Sequence, residues 1–194
     1  MEIPILIPLK HLAEAKQRLR PAIGEIERRA LMLSMLEHVA RAAAASGVGP
    51  VALASSEPRA TALAEQFGIG LFDDAGLPWN QGLEHALGLL RPAPEAVIYL
   101  AGDLPLVTAD EIRSLAEAVP AHGIAVARAH DGGSNGLGLR PATAITPSFG
   151  VDQSARAHAA LAEGAGLEIV VVDLPGLALD VDTPDDAARA QLSA

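Results

Sequence analysis

The sequence contains no cysteine, very few aromatic residues and no long apolar segment. Without cysteine, a disulfide framework and a cysteine-ligated metal site are excluded, and a cytoplasmic location is expected. Only 3% of the residues are aromatic although 50% are hydrophobic, so Ala, Leu, Val and Ile must build the core. No apolar run approaches the ~20 residues of a membrane-spanning helix. The N-terminal MEIPILIPLK also lacks the basic segment and cleavage site of a signal peptide.

Basic residues are scarce as well. The chain has 14 Lys and Arg against 24 Asp and Glu, which gives a formal net charge of -10. Such a charge repels nucleic acids and anionic membranes, so we expect neither as a partner. A phosphorylated ligand would need a local group of basic side chains. The 194 residues can bury a substantial core, and we predict one domain over residues 1–194.

Apolar runs alternate with helical patterns along the chain, which predicts an α/β fold. We expect an open, mostly parallel sheet with helices on both faces, whose ligands bind beyond the carboxyl ends of the strands. The predicted strands are 2–9, 51–55, 69–74, 95–103, 123–129, 136–141 and 167–174. The predicted helices are 23–47, 58–68, 78–90, 108–119, 153–163 and 183–192. The buried face of the first helix is predicted from helical spacing to consist of Ile26, Ala30, Leu33, Leu36 and Val39.

One acidic residue ends an apolar strand in YLAGDLPLV. A carboxylate at this position, Asp103, would face the crevice at the carboxyl edge of the sheet. Mg²⁺ is typically held by one or two carboxylates together with waters and substrate phosphates. The alternative is that Asp103 only caps the turn into the next helix.

Two further carboxylates occur in LALDVDTPDD. In extended backbone Asp180 and Asp182 point to the same side, because side chains alternate with a period of two. Their repulsion calls for a cation, and Asp103 could complete the site. Alternatively, Asp182 or Thr183 caps the closing helix; for the two acidic residues after Pro184 we favour this helical role.

Basic residues are concentrated in IPLKHLAEAKQRLRP, which follows the first strand. Lys10, Lys16, Arg18 and Arg20 are four of the 14 basic residues, and they could form an anion site with backbone amides at a helix start. The alternative is a solvated helix face. The chain has neither a Walker A sequence nor Gly-x-Gly-x-x-Gly, which disfavours P-loop and dinucleotide-binding folds.

Two glycine-containing segments offer further ligand contacts. In DGGSNGLGL the glycines let the backbone approach a ligand, and Ser134 adds a hydroxyl donor. FGVDQSARAH places Gly150 and Ser154 at a helix start, where amides could bind a phosphate. The alternatives are a simple hairpin loop and an N-cap. No zinc-binding spacing and no nucleophilic triad is present.

Taken in order, these segments resemble one enzyme family. IPLKHLAEAKQRL, WNQGLEHAL, AGDLPLV, DGGSNGLGLRP, FGVDQSARAH and LDVDTP are similar to motifs of the 2-phospho-L-lactate guanylyltransferases and their phosphoenolpyruvate and 3-phosphoglycerate variants. These enzymes act in the biosynthesis of coenzyme F420. AGDLPLV is shared with the wider nucleotidyltransferase superfamily, whereas PLK-x5-K-x-RL combined with DGGSN and LDVDTP is much more specific.

The resemblance implies a nucleotidyltransferase fold of Rossmann type, related to glycosyltransferase-A domains, with GTP as donor and a small phosphorylated carboxylate as acceptor. It implies Mg²⁺ as cofactor, and it implies roles for ten residues. Those that match the motif for the triphosphate are Lys10, Lys16 and Arg18, with Asn80 near the nucleoside. Those that match the Mg²⁺ positions are Asp103, Asp180 and Asp182. Those that match the positions for the acceptor's phosphate are Ser134, Gly150 and Ser154. The implied catalytic residues are Lys10, Lys16 and Asp103.

Two departures from the family pattern concern the acceptor. Ser134 stands where the family usually has Thr, and FGVDQS is about one residue longer than the usual FGPGS, which leaves the register of Ser154 and the identity of the acceptor open.

Two other functions also stay open. One is a nucleotidyltransferase of the molybdenum-cofactor or sugar-1-phosphate type, although the glycine-rich loop usual after the first strand is missing. The other is a catalytically silent nucleotide-binding module. Surface leucines could serve a homodimer.

Overall fold

Seven strands form one sheet in the computed structural model, which describes residues 2–191. The order is β3-β2-β1-β4-β6-β5-β7. Neighbouring strands run parallel except that β6 is antiparallel to both β4 and β5. The strands are β1 (Ile5–Pro8), β2 (Val51–Ala54), β3 (Gly70–Phe72), β4 (Val97–Leu100), β5 (Gly123–Arg128), β6 (Ser134–Arg140) and β7 (Glu168–Val172). The predicted open, mostly parallel sheet is confirmed.

Seven helices connect or follow these strands within residues 2–191. They are α1 (Glu25–Ser46), α2 (Ala60–Phe67), α3 (Trp79–Leu89), α4 (Ala109–Ala118), α5 (Ser154–Gly164), α6 (Pro175–Ala178) and α7 (Pro184–Arg189). Two short 3-10 turns lie between β1 and α1, at Leu12–Glu14 and Gln17–Leu19. Among these helices, none has the length and apolar character that a membrane crossing requires.

The core lies on both faces of the sheet. Ile5 and Ile7 of β1 belong to one buried cluster with residues of α1, α2 and α4, whereas Leu6 between them belongs to a second cluster with residues of α3 and α5. Side chains of a strand alternate between the faces of its sheet, so an unbroken apolar run such as Ile5–Ile7 is what a sheet covered on both faces requires. The predicted helices on both faces are thereby confirmed.

The buried face of α1 differs from the one expected. Leu36 and Val39 are fully buried as predicted, but Ile26 is 80% exposed and Ala30 is also exposed. The buried stripe instead continues through Met35 to Met32. Apolar residues are adjacent in LMLSML, so helical spacing alone allows more than one stripe, and packing against the sheet selects one of them.

Several element boundaries also differ from the predictions. β6 begins at Ser134 and not at residue 136, because the pairing with β5 continues past the β-bulge and the Ala129 N–H donates to the Gly133 carbonyl. The helix α6 and the two 3-10 turns were not predicted, since segments of three or four residues show no periodicity. The closing helix ends at Arg189, and residue 192 of the predicted helix lies outside the described residues.

Candidate functional site

A cavity of about 680 Å³ opens at the carboxyl ends of β1 and β4. The start of β6, the loop before α5 and the segment before α7 complete its wall. This is the edge at which open α/β sheets bind their ligands. Nine of the ten sequence-predicted site residues line it: Lys10, Lys16, Arg18, Asp103, Ser134, Gly150, Ser154, Asp180 and Asp182. The tenth, Asn80, is not among the lining residues.

Asp103 projects from the loop that directly follows β4. The preceding Gly102 packs so closely that a Cβ atom would lie 2.9 Å from Leu36 Cδ1 and 3.3 Å from Ile7 Cγ2, which explains the glycine before the acid. Helix α4 is capped by Thr108 in a capping box with Glu111. Because the Asp103 carboxylate also accepts a hydrogen bond from Lys16, the alternative that Asp103 only caps the turn into α4 is wrong.

Asp180 and Asp182 are brought beside Asp103 by the chain between α6 and α7. The Val181 N–H donates to the Asp103 carbonyl oxygen at 3.3 Å. The Asn135 Nδ2 group donates to Asp180 Oδ1 at 3.1 Å. These bonds join three segments that are distant in sequence.

The three carboxylates form one cluster, in which one oxygen of each lies within 4.8 Å of the others. Burial, together with the charge of Asp103, raises the pKa of Asp180. Thr183 caps α7 through a box with Asp186, so the two acidic residues after Pro184 have the helical role that we favoured. Carboxylate oxygens are the ligands of hard divalent cations, and this donor set fits Mg²⁺.

A cationic side chain already reaches the carboxylate cluster. Lys16 has left-handed backbone angles, with φ 52° and ψ 44°, and its side chain is only 5% exposed. Its Nζ donates to Asp103 Oδ2 and, at 2.9 Å, to Asp182 Oδ1. Burial alone would lower the pKa of Lys16, but Asp103 and Asp182 together raise it. Arg18 reaches Asp182 from the solvent side at 3.4 Å.

Lys10 and two aromatic rings form another part of the cavity wall. The Lys10 Nζ lies 5.0 Å from the centroid of the Trp79 ring, within the range of a cation–π interaction. Trp79 stacks on Phe149 with ring centroids 6.2 Å apart. The predicted triphosphate residues Lys10, Lys16 and Arg18 thus share one cavity with the carboxylates.

The two predicted acceptor serines meet although 20 residues separate them. Ser134 is the first residue of β6, Ser154 is the first residue of α5, and their Oγ atoms are 3.3 Å apart. The N-cap of α5 is Gln153, so the alternative N-cap role for Ser154 is wrong. The alternative of a simple hairpin loop also fails for Ser134, which is paired in the sheet. Gly150 adopts a φ of +79° in the adjoining loop, a conformation that favours glycine.

Asn80 differs from the other predicted site residues. Its Nδ2 group donates to the Phe149 carbonyl at 3.1 Å, and its Oδ1 accepts from the Phe149 N–H at 2.9 Å. The Asn80 side-chain amide therefore fixes the backbone of Phe149, which is a residue of the cavity wall. The structure places Asn80 of α3 beside the loop that carries Phe149, and its expected position near the nucleoside stays a prediction.

Two polar residues of the site were not singled out from the sequence. Asn135 orients Asp180, and His158 lies behind the serines with Nδ1 3.0 Å from Ser134 Oγ. Ser154 and His158 are four residues apart, so they share one face of a helix. This four-residue spacing is the one feature of the sequence that could have indicated a contact of His158 with the site.

Comparison with protein families and curated proteins identifies the family to which this chain belongs. The family described as "Guanylyl transferase CofC like" matches residues 3–192. The chain is 40% identical over 186 residues to the phosphoenolpyruvate guanylyltransferase of Sphaerobacter thermophilus, covering 93% of this chain and 88% of that protein. It is 32% identical over 187 residues to the 2-phospho-L-lactate guanylyltransferase of Methanothermobacter thermautotrophicus, covering 96% and 82%.

Solved structures share the fold at much lower sequence identity. A nucleotidyl transferase from Methanothermobacter thermautotrophicus superposes with a TM-score of 0.68 at 14% identity, covering 97% of this chain and 95% of that chain. The 4-diphosphocytidyl-2C-methyl-D-erythritol synthase of Anaerococcus prevotii gives a TM-score of 0.62 at 12% identity, with coverage of 97% and 94%. The predicted nucleotidyltransferase fold is confirmed.

Proposed function

Because this chain belongs to the CofC-like guanylyl transferase family, we propose that it transfers GMP from GTP to the phosphate of a small phosphorylated carboxylate and releases pyrophosphate. The enzyme is a nucleotidyltransferase, as its relatives are. The reaction would belong to the biosynthesis of coenzyme F420. The 40% identity to a protein named phosphoenolpyruvate guanylyltransferase makes phosphoenolpyruvate the first acceptor to test.

One observation carries the proposal: a single cavity holds a carboxylate cluster with a buried lysine and a pair of serine hydroxyls. The lysine and the carboxylates suit a metal-bound triphosphate, since both the nucleotide and its cation need opposite charges nearby. The serines and the loop with Gly150 offer neutral donors for a second anion. A transferase for two phosphorylated substrates needs both kinds of contact in one cavity.

Asp103, Asp180 and Asp182 would hold Mg²⁺, for which their three oxygens are suitably grouped. When bound, Mg²⁺ supplies positive charge that lowers the repulsion between the two anionic substrates and stabilises the leaving oxygens. Lys10, Lys16 and Arg18 would neutralise the phosphates of GTP. Ser134 and Ser154 would hold the acceptor's phosphate.

In the proposed reaction an oxygen of the acceptor's phosphate attacks the α-phosphorus of GTP in line. A new P–O bond forms as the bond to pyrophosphate breaks, which gives a diphosphate-bridged product. The attacking phosphate is already anionic, so positioning and charge neutralisation dominate over general-base catalysis. No covalent enzyme intermediate is required.

Pyrophosphate release by the purified protein tests this function. The protein receives Mg²⁺ and GTP with phosphoenolpyruvate, 2-phospho-L-lactate or 3-phospho-D-glycerate, each separately, and products are identified by mass spectrometry. ATP replaces GTP in a parallel set. Turnover with one acceptor identifies the substrate. GTP binding by a folded protein without turnover of any acceptor contradicts the proposal and favours the silent nucleotide-binding module.

Asp103→Asn examines the carboxylate cluster directly. The amide keeps the shape of the side chain but removes one of the three negative charges, so we expect turnover to fall at least about 100-fold, as for loss of a group that stabilises charge in the transition state. Asp173→Asn is the matched control, because Asp173 is 66% exposed and pairs with Arg128 away from the cavity lining. Near-normal turnover by folded Asp103→Asn protein would remove Asp103 from the mechanism.

A further inference from the structure

His158 lies directly behind the serine pair and is fully buried. It is on α5, one helical turn after Ser154. Its ring packs edge-on against Phe149, with ring centroids 5.0 Å apart and planes at 67°. It is not among the residues that line the cavity, so it can act on a ligand only through its neighbours.

The two ring nitrogens of His158 have partners of different kinds. The backbone N–H of Ser148 lies 2.8 Å from Nε2. A backbone amide can only donate, so Nε2 must carry its lone pair. Burial lowers the pKa of His158 to about 4, and the ring is therefore neutral at pH 7. A neutral imidazole with a lone pair on Nε2 carries its hydrogen on Nδ1.

This tautomer sets the direction of the next hydrogen bond. The Nδ1–H donates to Ser134 Oγ at 3.0 Å, and Ser134 Oγ lies 3.3 Å from Ser154 Oγ. The two hydroxyls share one hydrogen bond, whichever of them donates it. These hydrogen bonds form a series that runs from the Ser148 N–H through His158 to the two serines. Within this series, the hydrogen of one serine hydroxyl has no acceptor. Both serines line the cavity, so that hydrogen is available to a ligand there.

We propose that His158 is a positioning residue, which fixes the serine pair as a hydrogen-bond donor to an anionic oxygen of the acceptor substrate. This inference rests on the proposed function, because it assigns the serines to the acceptor's phosphate. A serine hydroxyl by itself can donate or accept. With the Nδ1–H occupying an acceptor position on Ser134, the pair presents a hydrogen to the cavity, which suits a phosphate oxygen.

Two substitutions separate this role from a purely structural one. His158→Asn can place an N–H near the position of Nδ1 and so keep the donor to Ser134, but it loses the acceptor for the Ser148 N–H. His158→Gln can place its carbonyl near the position of Nε2 and keep the Ser148 bond, but it loses the donor to Ser134. His122→Gln is the control, because His122 is exposed and lies outside the cavity lining.

We expect His158→Gln to raise the KM for the acceptor about tenfold or more, as for loss of a hydrogen bond to a charged group. His158→Asn should stay closer to the unchanged protein, and the dissociation constant for GTP with Mg²⁺, measured calorimetrically without acceptor, should be the same in all variants. Equal effects of Asn and Gln on acceptor KM, or a matching loss of GTP affinity, would overturn the proposal in favour of a structural role.

Nitrogen-15 NMR of the histidine ring reads the tautomer without any turnover. The hydrogen is expected on Nδ1, and a hydrogen on Nε2 would overturn the proposal. If no acceptor is turned over, the proposed function fails, and the His158 inference is then judged from calorimetric binding of inorganic phosphate. Weaker phosphate binding by His158→Gln than by His158→Asn supports it, whereas equal binding contradicts it.

Discussion

Lys16→Met would test whether the carboxylate cluster is a cation site that the lysine occupies when no metal is bound. Methionine keeps a long apolar stem but removes the ammonium group that contacts Asp103 and Asp182. Three carboxylate oxygens within 4.8 Å of one another then lose their buried counter-charge. Their repulsion is the physical reason to expect a loss of stability.

The size of that loss follows from the exposure of the partners. Removing one member of a fully buried ion pair costs about 3–5 kcal/mol. Asp103 is 20% exposed and Asp182 is 43% exposed, so water screens part of the repulsion. We therefore expect the free energy of unfolding to fall by about 1–3 kcal/mol in Lys16→Met protein without divalent cations.

Urea denaturation with and without Mg²⁺ measures this effect. In the unchanged protein Mg²⁺ must compete with the Lys16 ammonium, whereas in Lys16→Met it meets unpaired carboxylates. Mg²⁺ should therefore stabilise the variant more than the unchanged protein. If the variant binds Mg²⁺ tenfold more tightly, its free energy of unfolding should gain about 1.4 kcal/mol more than that of the unchanged protein at the same saturating Mg²⁺ concentration. Lys10→Met is the control, because the Lys10 ammonium lies over Trp79. Equal stabilisation of Lys16→Met and unchanged protein would refute the reasoning.

Three other predictions concern the structure around the site. Folding lowers the pKa of His158 from 6.5 to about 4, so the unfolded state binds the proton more tightly than the folded state does. The free energy of unfolding should therefore fall by about 2 kcal/mol as the pH is lowered from 7.5 to 5. If His158→Gln protein showed the same pH dependence as the unchanged protein, His158 would not be its cause. Gly123→Ala would place a Cβ atom 2.1 Å from the Glu168 carbonyl oxygen of β7, so urea denaturation should show a loss of about 1–3 kcal/mol, and unaltered stability would contradict the close packing. Asn80→Leu removes two hydrogen bonds to the Phe149 backbone and should lower stability by about 1–3 kcal/mol. It should also raise the KM for the acceptor, whereas a rise in the KM for GTP alone would favour a nucleoside contact.

Much of the fold could be predicted because the sheet is covered on both faces. Strands such as β1 and β4 then appear as unbroken apolar runs, and the helices between them show one apolar stripe. The prediction erred where two patterns were compatible with the same residues. The adjacent apolar residues of α1 allowed a stripe through Ile26, which is exposed, and the short connection to β6 gave no sign that pairing resumes at Ser134.

The composition of the site could also be predicted, because carboxylates after apolar strands and a concentration of basic residues are unusual in the sequence of an acidic protein. The sequence alone established which residue types are available: carboxylates, lysines and hydroxyls in separate short segments. The tertiary structure alone decided which of them meet. It placed Lys16 between Asp103 and Asp182, turned Asn80 toward Phe149, and put His158 behind Ser134. The physical reason is that these contacts join residues 24 to 166 positions apart, and no local periodicity records distances of that kind.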